Sequence, residues 1–461
     1  MGDLADRSAT DVARLVRLRK VSPVEVLEAC LARVASRNEE INALVTLNPR
    51  AMDDAKALTR RLGRKSYKPG RLAGVVAGIK DVTPVAGLRT TYGSPLYANN
   101  IAKEDAVVVQ RLCAAGAIIL GKTNCPEFAA GGNTFNEVFG RTRNPHDPSK
   151  SAGGSTGGGA AGLVTGMIAL AEGTDLGGSL RIPAAFCGVV GLRPSVGLVP
   201  THPGDWVWDT LQVSGPMART VEDVALMLQA IAGPSPFSPI TQPIEGRDFV
   251  AAARKGPRKG VRVAYCADVA GLGIDPAIER VCRDAAFALR KQGARVEEID
   301  LDLSAGRPSF LALRGEWFVN WMYSRLDKQD KLGTNVANNV KAGLATNALD
   351  LAGAEVVRGQ IWHTFRAFFE RYDYLITPCV AVPPFPVEQN YPDSIAGKPM
   401  LTYIDWIAPT FVLSLTGLPV GAVPCGRDAG GMPVGLQIVG RQFGEEEVLA
   451  LSRGVEIATA V

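Results

Sequence analysis

The sequence predicts an α/β fold, one large domain built on a sheet covered by helices on both faces. Two observations carry this. From Val75 onward, short β-branched runs alternate with helical patterns, the signature of strands crossed over by helices. No internal repeat or low-complexity linker divides the chain of 461 residues, and its 46% hydrophobic and 21% charged content is that of an ordinary globular protein. That length buries a substantial core.

Taken in order, Ser22 caps a helix over 22–37, with Pro23 in its first turn and Glu25 completing a capping box. Val26, Leu27, Cys30 and Leu31 lie on one face of it, and a second helix is expected over 50–62. Strands are expected at 75–79, 117–120, 167–170 and 189–192, with helices at 105–115 and 157–165 between them. Farther on come a helix over 220–231, a strand at 261–266, a helix at 276–293 and a strand at 295–299. The chain ends in strands at 373–378, 420–425 and 434–440 and a closing helix at 445–458. Pro/Gly clusters at 233–243 and 378–398 read as loops inside a single domain spanning 1–461. Residues 1 to about 65 are expected to pack as helices on the core, and about 235–400 to form a lobe over the active site.

Composition removes several classes of function. The net charge of +4 is small, and no basic block with interleaved aromatics stands out, which argues against a nucleic-acid partner. The eight cysteines form no CxxC pair and no zinc-like cluster with histidine, so reduced thiols in a cytoplasmic enzyme are expected, without a zinc site. The first twenty residues carry charges throughout and lack an apolar leader core. A myristoylation pattern fails at Asp6. The longest apolar run, 160–171, is too short to cross a bilayer, so no membrane partner is expected.

"GAIILGKT" (116–123) matches a phosphate-loop pattern, but its interior is a strand sequence and a helix precedes it where a strand is required. It reads instead as helix–turn–strand, with Lys122 just past the strand.

Three other segments point to chemistry. "AGIKDV" places Lys80 at the end of a buried strand; "KSAGGSTGGGAAG" places Ser155 in a glycine-dense loop before a helix; "GTDLGGSLR" places Ser179 behind two glycines. Each alone is an ordinary strand end, cap or turn. Together they hold a nucleophile, a second hydroxyl and an amine that becomes a general base once desolvated.

The run "GGSTGGGAAGLVTGMIALAEGTDLGGSLRIPAAFCGVVGLRPS" (153–195) resembles the defining segment of the amidase signature family of serine hydrolases. "GIKD", "GKTN" with "EFA", "NPHDPSKSAGGS" and the late "LTGLPV", "VPCG" and "GMPVGLQIVGR" follow that family's order. The resemblance implies the amidase signature fold, a mixed sheet under helices on both faces. It implies a Ser–cis-Ser–Lys triad in which Ser179 attacks, Ser155 bridges and Lys80 is the base. Backbone N–H groups of Leu176, Gly177, Gly178 and Ser179 are implied as the oxyanion hole, and glycines suit that work because they reach unusual φ/ψ without a Cβ. Gly154, Thr156, Asp175 and Arg181 are implied as supporting residues, the last two holding the nucleophile loop. Ala129, Ala130 and Gly131 align with an acyl-pocket stretch, where small side chains leave room for substrate.

Burial without a nearby carboxylate would lower the pKa of Lys80, and an extended 79–81 turns Asp81 away from it. Thr156 and Gly159 replace serines common in the family, which leaves the hydrogen bonds around the triad open. Cys125 is placed in a structural loop. Trp206, Trp208, Trp317, Trp321, Tyr403 and Trp406 either roof the site or pack the core. The implied activity is hydrolysis of a small amide with an aryl or bulky acyl group, through an acyl-enzyme and without cofactor, by a protein whose partner is that small molecule and, as an option, a second copy of itself. The alternative is the amidase component of a tRNA-dependent amidotransferase. The substrate-side arginine motif associated with that component is not evident before 373–378.

Overall fold

The computed structural model describes residues 3–204 and 206–459; Gly2, where a lipidation pattern would begin, lies outside them. Eleven strands form one sheet: β1 (Leu44–Leu47), β2 (Val76–Lys80), β3 (Ile118–Thr123), β4 (Leu170–Asp175), β5 (Val190–Arg193), β6 (Val213–Ala218), β7 (Arg262–Tyr265), β8 (Arg295–Glu298), β9 (Tyr374–Pro378), β10 (Val420–Arg427) and β11 (Pro433–Val439). Their spatial order is β1-β3-β2-β4-β6-β5-β10-β11-β9-β7-β8. The pairs β2/β3, β2/β4, β7/β9 and β7/β8 are parallel and the others antiparallel, so the sheet is mixed.

Helices cover it on both sides. α1 (Ala9–Arg17) packs against the later helix at 221–231, whereas α2 (Pro23–Ile41) and α3 (Ala51–Leu62) pack at the end that carries β1–β3. Ser22 and Glu25 make the expected reciprocal cap, with Ser22 N–H donating to Glu25 Oε2 at 2.8 Å and Glu25 N–H to Ser22 Oγ at 3.2 Å. α4 (Val107–Ala114) precedes β3, α5 (Gly157–Val164) precedes β4, and α6 (Arg181–Cys187) joins β4 to β5. α7 (Val221–Ile231) and α8 (Phe249–Lys255) follow β6, and α9 (Pro276–Ala288) joins β7 to β8. α10 (Gly306–Met322), α11 (Thr334–Ala345) and α12 (Ala348–Arg371) come before β9, α13 (Ala408–Ser414) before β10, and α14 (Glu445–Thr459) closes the described chain. Between 235 and 400, three strands therefore join the main sheet, and α10–α12 pack as a group.

The apolar run at 167–170 misplaces its strand, which begins only at Leu170 and runs through Glu172, Thr174 and Asp175. β4 lies between β2 and β6 and is buried along its whole length, so its polar residues are paired inside the sheet and periodicity cannot mark them. β6 escapes sequence reading because Gly215 and Pro216 argue against a strand, yet it pairs with β4 over six residues. The false phosphate loop is helix–turn–strand as expected, with one correction. Lys122 lies within β3 rather than past it and is fully buried. Its Nζ donates to Thr83 O at 2.6 Å and Thr90 Oγ1 at 3.0 Å, with Asp81 Oδ1 3.6 Å away.

The glycines that open α5 set how close the second serine comes to the sheet. A Cβ on Gly158 would sit 2.3 Å from Asn124 N, and one on Gly157 2.3 Å from Thr134 Oγ1. A Cβ on Gly159 would sit 3.0 Å from Thr156 Cγ2 and 3.1 Å from Ala171 Cβ, so the serine that the family often carries there would press on both side chains. Gly158→Ala is expected to lower the unfolding free energy by about 1–3 kcal/mol, because the clash is with backbone that cannot yield; the midpoint of urea unfolding measures it.

Candidate active site

Lys80 ends β2 and is fully buried. The parallel register that sets Ile79 against Glu172 brings the end of β4 beside it, at the carboxyl ends of neighbouring parallel strands, where ligands of open α/β sheets bind. Lys80 Nζ lies 2.6 Å from Ser155 Oγ and 2.9 Å from Thr174 Oγ1, with Thr174 O at 3.4 Å. Burial lowers the amine's pKa to about 8, against the opposing pull of nearby acidic groups that include Glu172 and Asp175. Asp81 lies in the turn after β2 rather than in an extended 79–81, and its carboxylate accepts Thr91 N–H at 3.1 Å.

A carboxylate is nevertheless present, contrary to expectation. Glu172, fully buried on β4, accepts the Lys80 backbone N–H at 3.2 Å and the Thr83 hydroxyl at 3.0 Å. Burial raises its pKa, which weakens its hold on the lysine's proton.

Ser155 follows a cis peptide from Gly154 and is fully buried. Ser179 is half-buried in the turn that starts α6. The two loops are tied together, because Thr156 N–H donates to Ser179 O at 3.2 Å. Both serines line one narrow cavity of about 20 Å³, although no hydrogen bond joins their hydroxyls. Thr156 Oγ1 is buried without a partner among the described residues, so the hydroxyl that this threonine retains is unused.

The expected oxyanion donors divide. Leu176, Gly177 and Ser179 keep N–H groups without an acceptor among the described residues. Gly178 does not: its N–H donates to Asp175 Oδ1 at 2.8 Å. It serves the loop instead, because the carboxylate beneath needs that donor. Gly178 has φ +126°, and a Cβ there would sit 2.3 Å from Thr410 Oγ1, so glycine is required on both counts.

Asp175 organises the loop. Its carboxylate also accepts Leu180 N–H at 3.2 Å and is gripped by Arg181 through Nε and Nη2, each at 3.0 Å. Arg193 Nη1 adds a contact at 3.2 Å. Burial opposes this charge, but the two guanidinium groups overcome it and hold the Asp175 carboxyl far below the usual range. Arg181 Nη1 reaches across to Gln437 Oε1 at 2.7 Å and Thr410 O at 2.9 Å, and its Nη2 to Ser414 Oγ at 2.7 Å. Arg193, Thr410, Ser414, Gln437, Thr174 and Glu172 escape sequence reasoning, since their roles depend on strands and α13 that meet only in the fold.

Of the predicted pocket stretch only Ala129 reaches the cavity, beside Phe128, and these two have φ +57° and +44°. Ala130 and Gly131 pack behind it. Ala130 is buried and its carbonyl accepts Asn335 Nδ2 at 2.9 Å. Thr174, Gln212 and Trp317 belong also to a second, outer cavity of about 300 Å³. Trp206, Trp317 and Trp321 line it, whereas Trp208 is exposed and Tyr403 and Trp406 are buried in packing. Cys125 is fully buried and burial pushes its thiol up to about 12, which leaves no thiolate for catalysis. Among the described residues no His, Cys, Asp and Glu side chains converge as a metal-binding group, and no helix is long and apolar enough to cross a membrane.

Known proteins of similar shape and sequence indicate the family. A model of the amidase family matches residues 25–449. An acylamidase of Rhodococcus erythropolis is 37% identical over 456 residues, covering 97% of this chain and 94% of that protein. A glutamyl-tRNA(Gln) amidotransferase subunit of Geobacillus kaustophilus (strain HTA426) is 35% identical over 483 residues, covering 99% of this chain and 98% of that protein. The crystal structure of a bacterial aryl acylamidase of the amidase signature family superposes with a TM-score of 0.92 at 26% identity, covering 98% of this chain and 96% of that one.

Replacing Arg181 by Met strips Asp175 of its bidentate partner inside the core. The expected loss is about 3 kcal/mol of unfolding free energy, read by chemical denaturation. Arg181→Lys is expected to recover only part, because an ammonium cannot span both carboxylate oxygens.

Proposed function

The chain belongs to the amidase family and hydrolyses carboxylic amides at linear C–N bonds, and we propose that it does so through an acyl-enzyme on Ser179. Neutral Lys80 takes the Ser155 proton, Ser155 takes the Ser179 proton, and the Ser179 oxygen attacks the amide carbonyl. The negative charge that develops on the carbonyl oxygen meets the N–H groups of Leu176, Gly177 and Ser179, each such donor being worth about 3 kcal/mol in the transition state. The proton returns along the same hydroxyls to the leaving amine, the C–N bond breaks, and water then hydrolyses the ester by the reverse route. The observation that carries this is the 2.6 Å contact between Lys80 Nζ and Ser155 Oγ, made by a buried amine whose pKa is held at about 8.

The outer cavity supports a substrate with an aryl or bulky apolar group on one side of the scissile bond. Trp317 and Trp321 meet edge-on at 4.6 Å, and Trp321 meets Phe128 at 5.3 Å, a continuous aromatic wall leading to the crevice. The amidotransferase alternative draws on the relative from Geobacillus kaustophilus. Against it, Arg358, in the segment before residue 373, is spent on Leu415 O at 2.8 Å and Thr210 O at 2.9 Å and lines neither cavity. Anilide hydrolysis by the protein alone, without ATP or tRNA, separates the two.

Three outcomes are expected. Lys80→Ala lowers kcat by about 10⁴-fold or more in a folded protein, and Ser179→Ala abolishes labelling by a fluorophosphonate; undiminished labelling would mean that another residue is the nucleophile. Because the base must be deprotonated, kcat/KM rises about tenfold per pH unit up to the lysine pKa of about 8 and levels off above it. A flat profile across that range would remove Lys80 as the base.

A further inference from the structure

We infer that Arg314 determines specificity by pairing with a carboxylate on the acyl half of the substrate. The inference rests on the amide-hydrolase reading of the Ser179 crevice and names the class of amide that enters it.

Arg314 lies on α10, is 4% exposed, and stands in the wall of the same crevice as Ser155 and Ser179. Neutral groups hold it: its Nε donates to Asn339 Oδ1 at 2.9 Å and its Nη2 to Tyr403 Oη at 2.5 Å. Its Nη1 has no acceptor among the described residues. No ion pair among the described residues includes it. The rings of Phe318, Tyr403 and Phe310 lie 4.9, 5.5 and 5.9 Å from its Cζ, a sleeve of low polarity that leaves the cation poorly solvated.

The contrast with Arg181 and Arg193 is direct. Those two are also buried, and both are paired with Asp175. A buried charge is costly unless paired. The carboxylate on the outer-cavity wall, Asp209, is engaged elsewhere, accepting from Trp317 Nε1 at 2.7 Å, Leu211 N–H at 2.8 Å and Gln212 N–H at 3.0 Å. Arg314 is thus a fixed guanidinium in the crevice wall with no carboxylate partner, an arrangement that receives a carboxylate.

Cavity shape assigns the acyl half. Once Ser179 is acylated, the amine must leave while the acyl group stays. The outer cavity of about 300 Å³ reaches exposed Thr201 and Gly204 and offers the exit. The crevice of about 20 Å³, lined by Phe128, Leu176 and Phe318 beside Ser155 and Ser179, holds the part that remains. So little room places the carboxylate within a few bonds of the scissile carbonyl. The class is a monoamide of a short dicarboxylic acid, with an aryl or apolar amine against the outer tryptophans.

The test compares succinanilate with 4-methylpentananilide, an uncharged near-isostere. Wild-type kcat/KM is expected to favour the charged anilide by about ten- to a hundredfold, the effect of one charge-assisted hydrogen-bonded pair. In Arg314→Met the ratio falls to parity, and Arg314→Lys restores part of it. Equal or better hydrolysis of the neutral anilide by wild type, or an unchanged ratio in Arg314→Met, overturns the inference. Should that variant not fold, wild-type protein decides. Succinate is expected to protect Ser179 from fluorophosphonate labelling at lower concentration than 4-methylpentanoate, and the reverse order overturns the inference. Absence both of labelling and of hydrolysis of any amide overturns the underlying reading instead.

Discussion

An amine sealed from water is the constraint on which the rest of this structure depends. Lys80 is fully buried, and its pKa of about 8 represents about 3 kcal/mol of lost charge stabilisation. The fold meets that cost by supplying hydroxyl partners, Ser155 and Thr174, in place of a carboxylate at Nζ. The adjacent acids are directed elsewhere: Asp81 toward Thr91 and Lys122, Glu172 toward Thr83 and the Lys80 backbone, Asp175 toward two arginines. Each would hold the ammonium form if it reached Nζ, so the placement of three carboxylates decides whether one amine is a base.

The Asp175 cluster solves a second problem. N–H groups left without an acceptor favour collapse of their loop onto the nearest one. Here one carboxylate takes the Gly178 and Leu180 amides, and Arg181 anchors that carboxylate to α13 and β11. The intervening amides of Leu176, Gly177 and Ser179 are left free. Burying two arginines beside a single aspartate is tolerable only because every charge in the group is hydrogen-bonded to more than one partner.

Much of the fold is legible in the sequence, and the exceptions share a cause. The capping box at Ser22, the strand ending in Lys80 and the closing helix all rest on local chemistry, which a sequence displays directly. β4 and β6 do not. They are central strands whose glycines, proline and polar residues are tolerated because neighbours on both sides satisfy them. Lys122 escapes for the same reason, since nothing local shows that Thr83, Thr90 and Asp81 surround it. In the stretch 129–131, small side chains suggest a pocket, but only Ala129 faces the cavity.

By itself the sequence determined the chemistry on offer: two serines in glycine-dense loops, a lysine at a strand end, and the glycines that such turns require. Those follow from residue type and spacing, because conformational freedom and nucleophilicity are local properties. Tertiary structure alone decided which groups act on which. It set Lys80 against Ser155, gave the Gly178 amide to Asp175, brought Glu172 beside Lys80 and left Arg314 without a carboxylate partner in the crevice that Ser155 and Ser179 line. Burial, pKa and charge pairing belong to the space between segments far apart in the chain, and only packing creates that space.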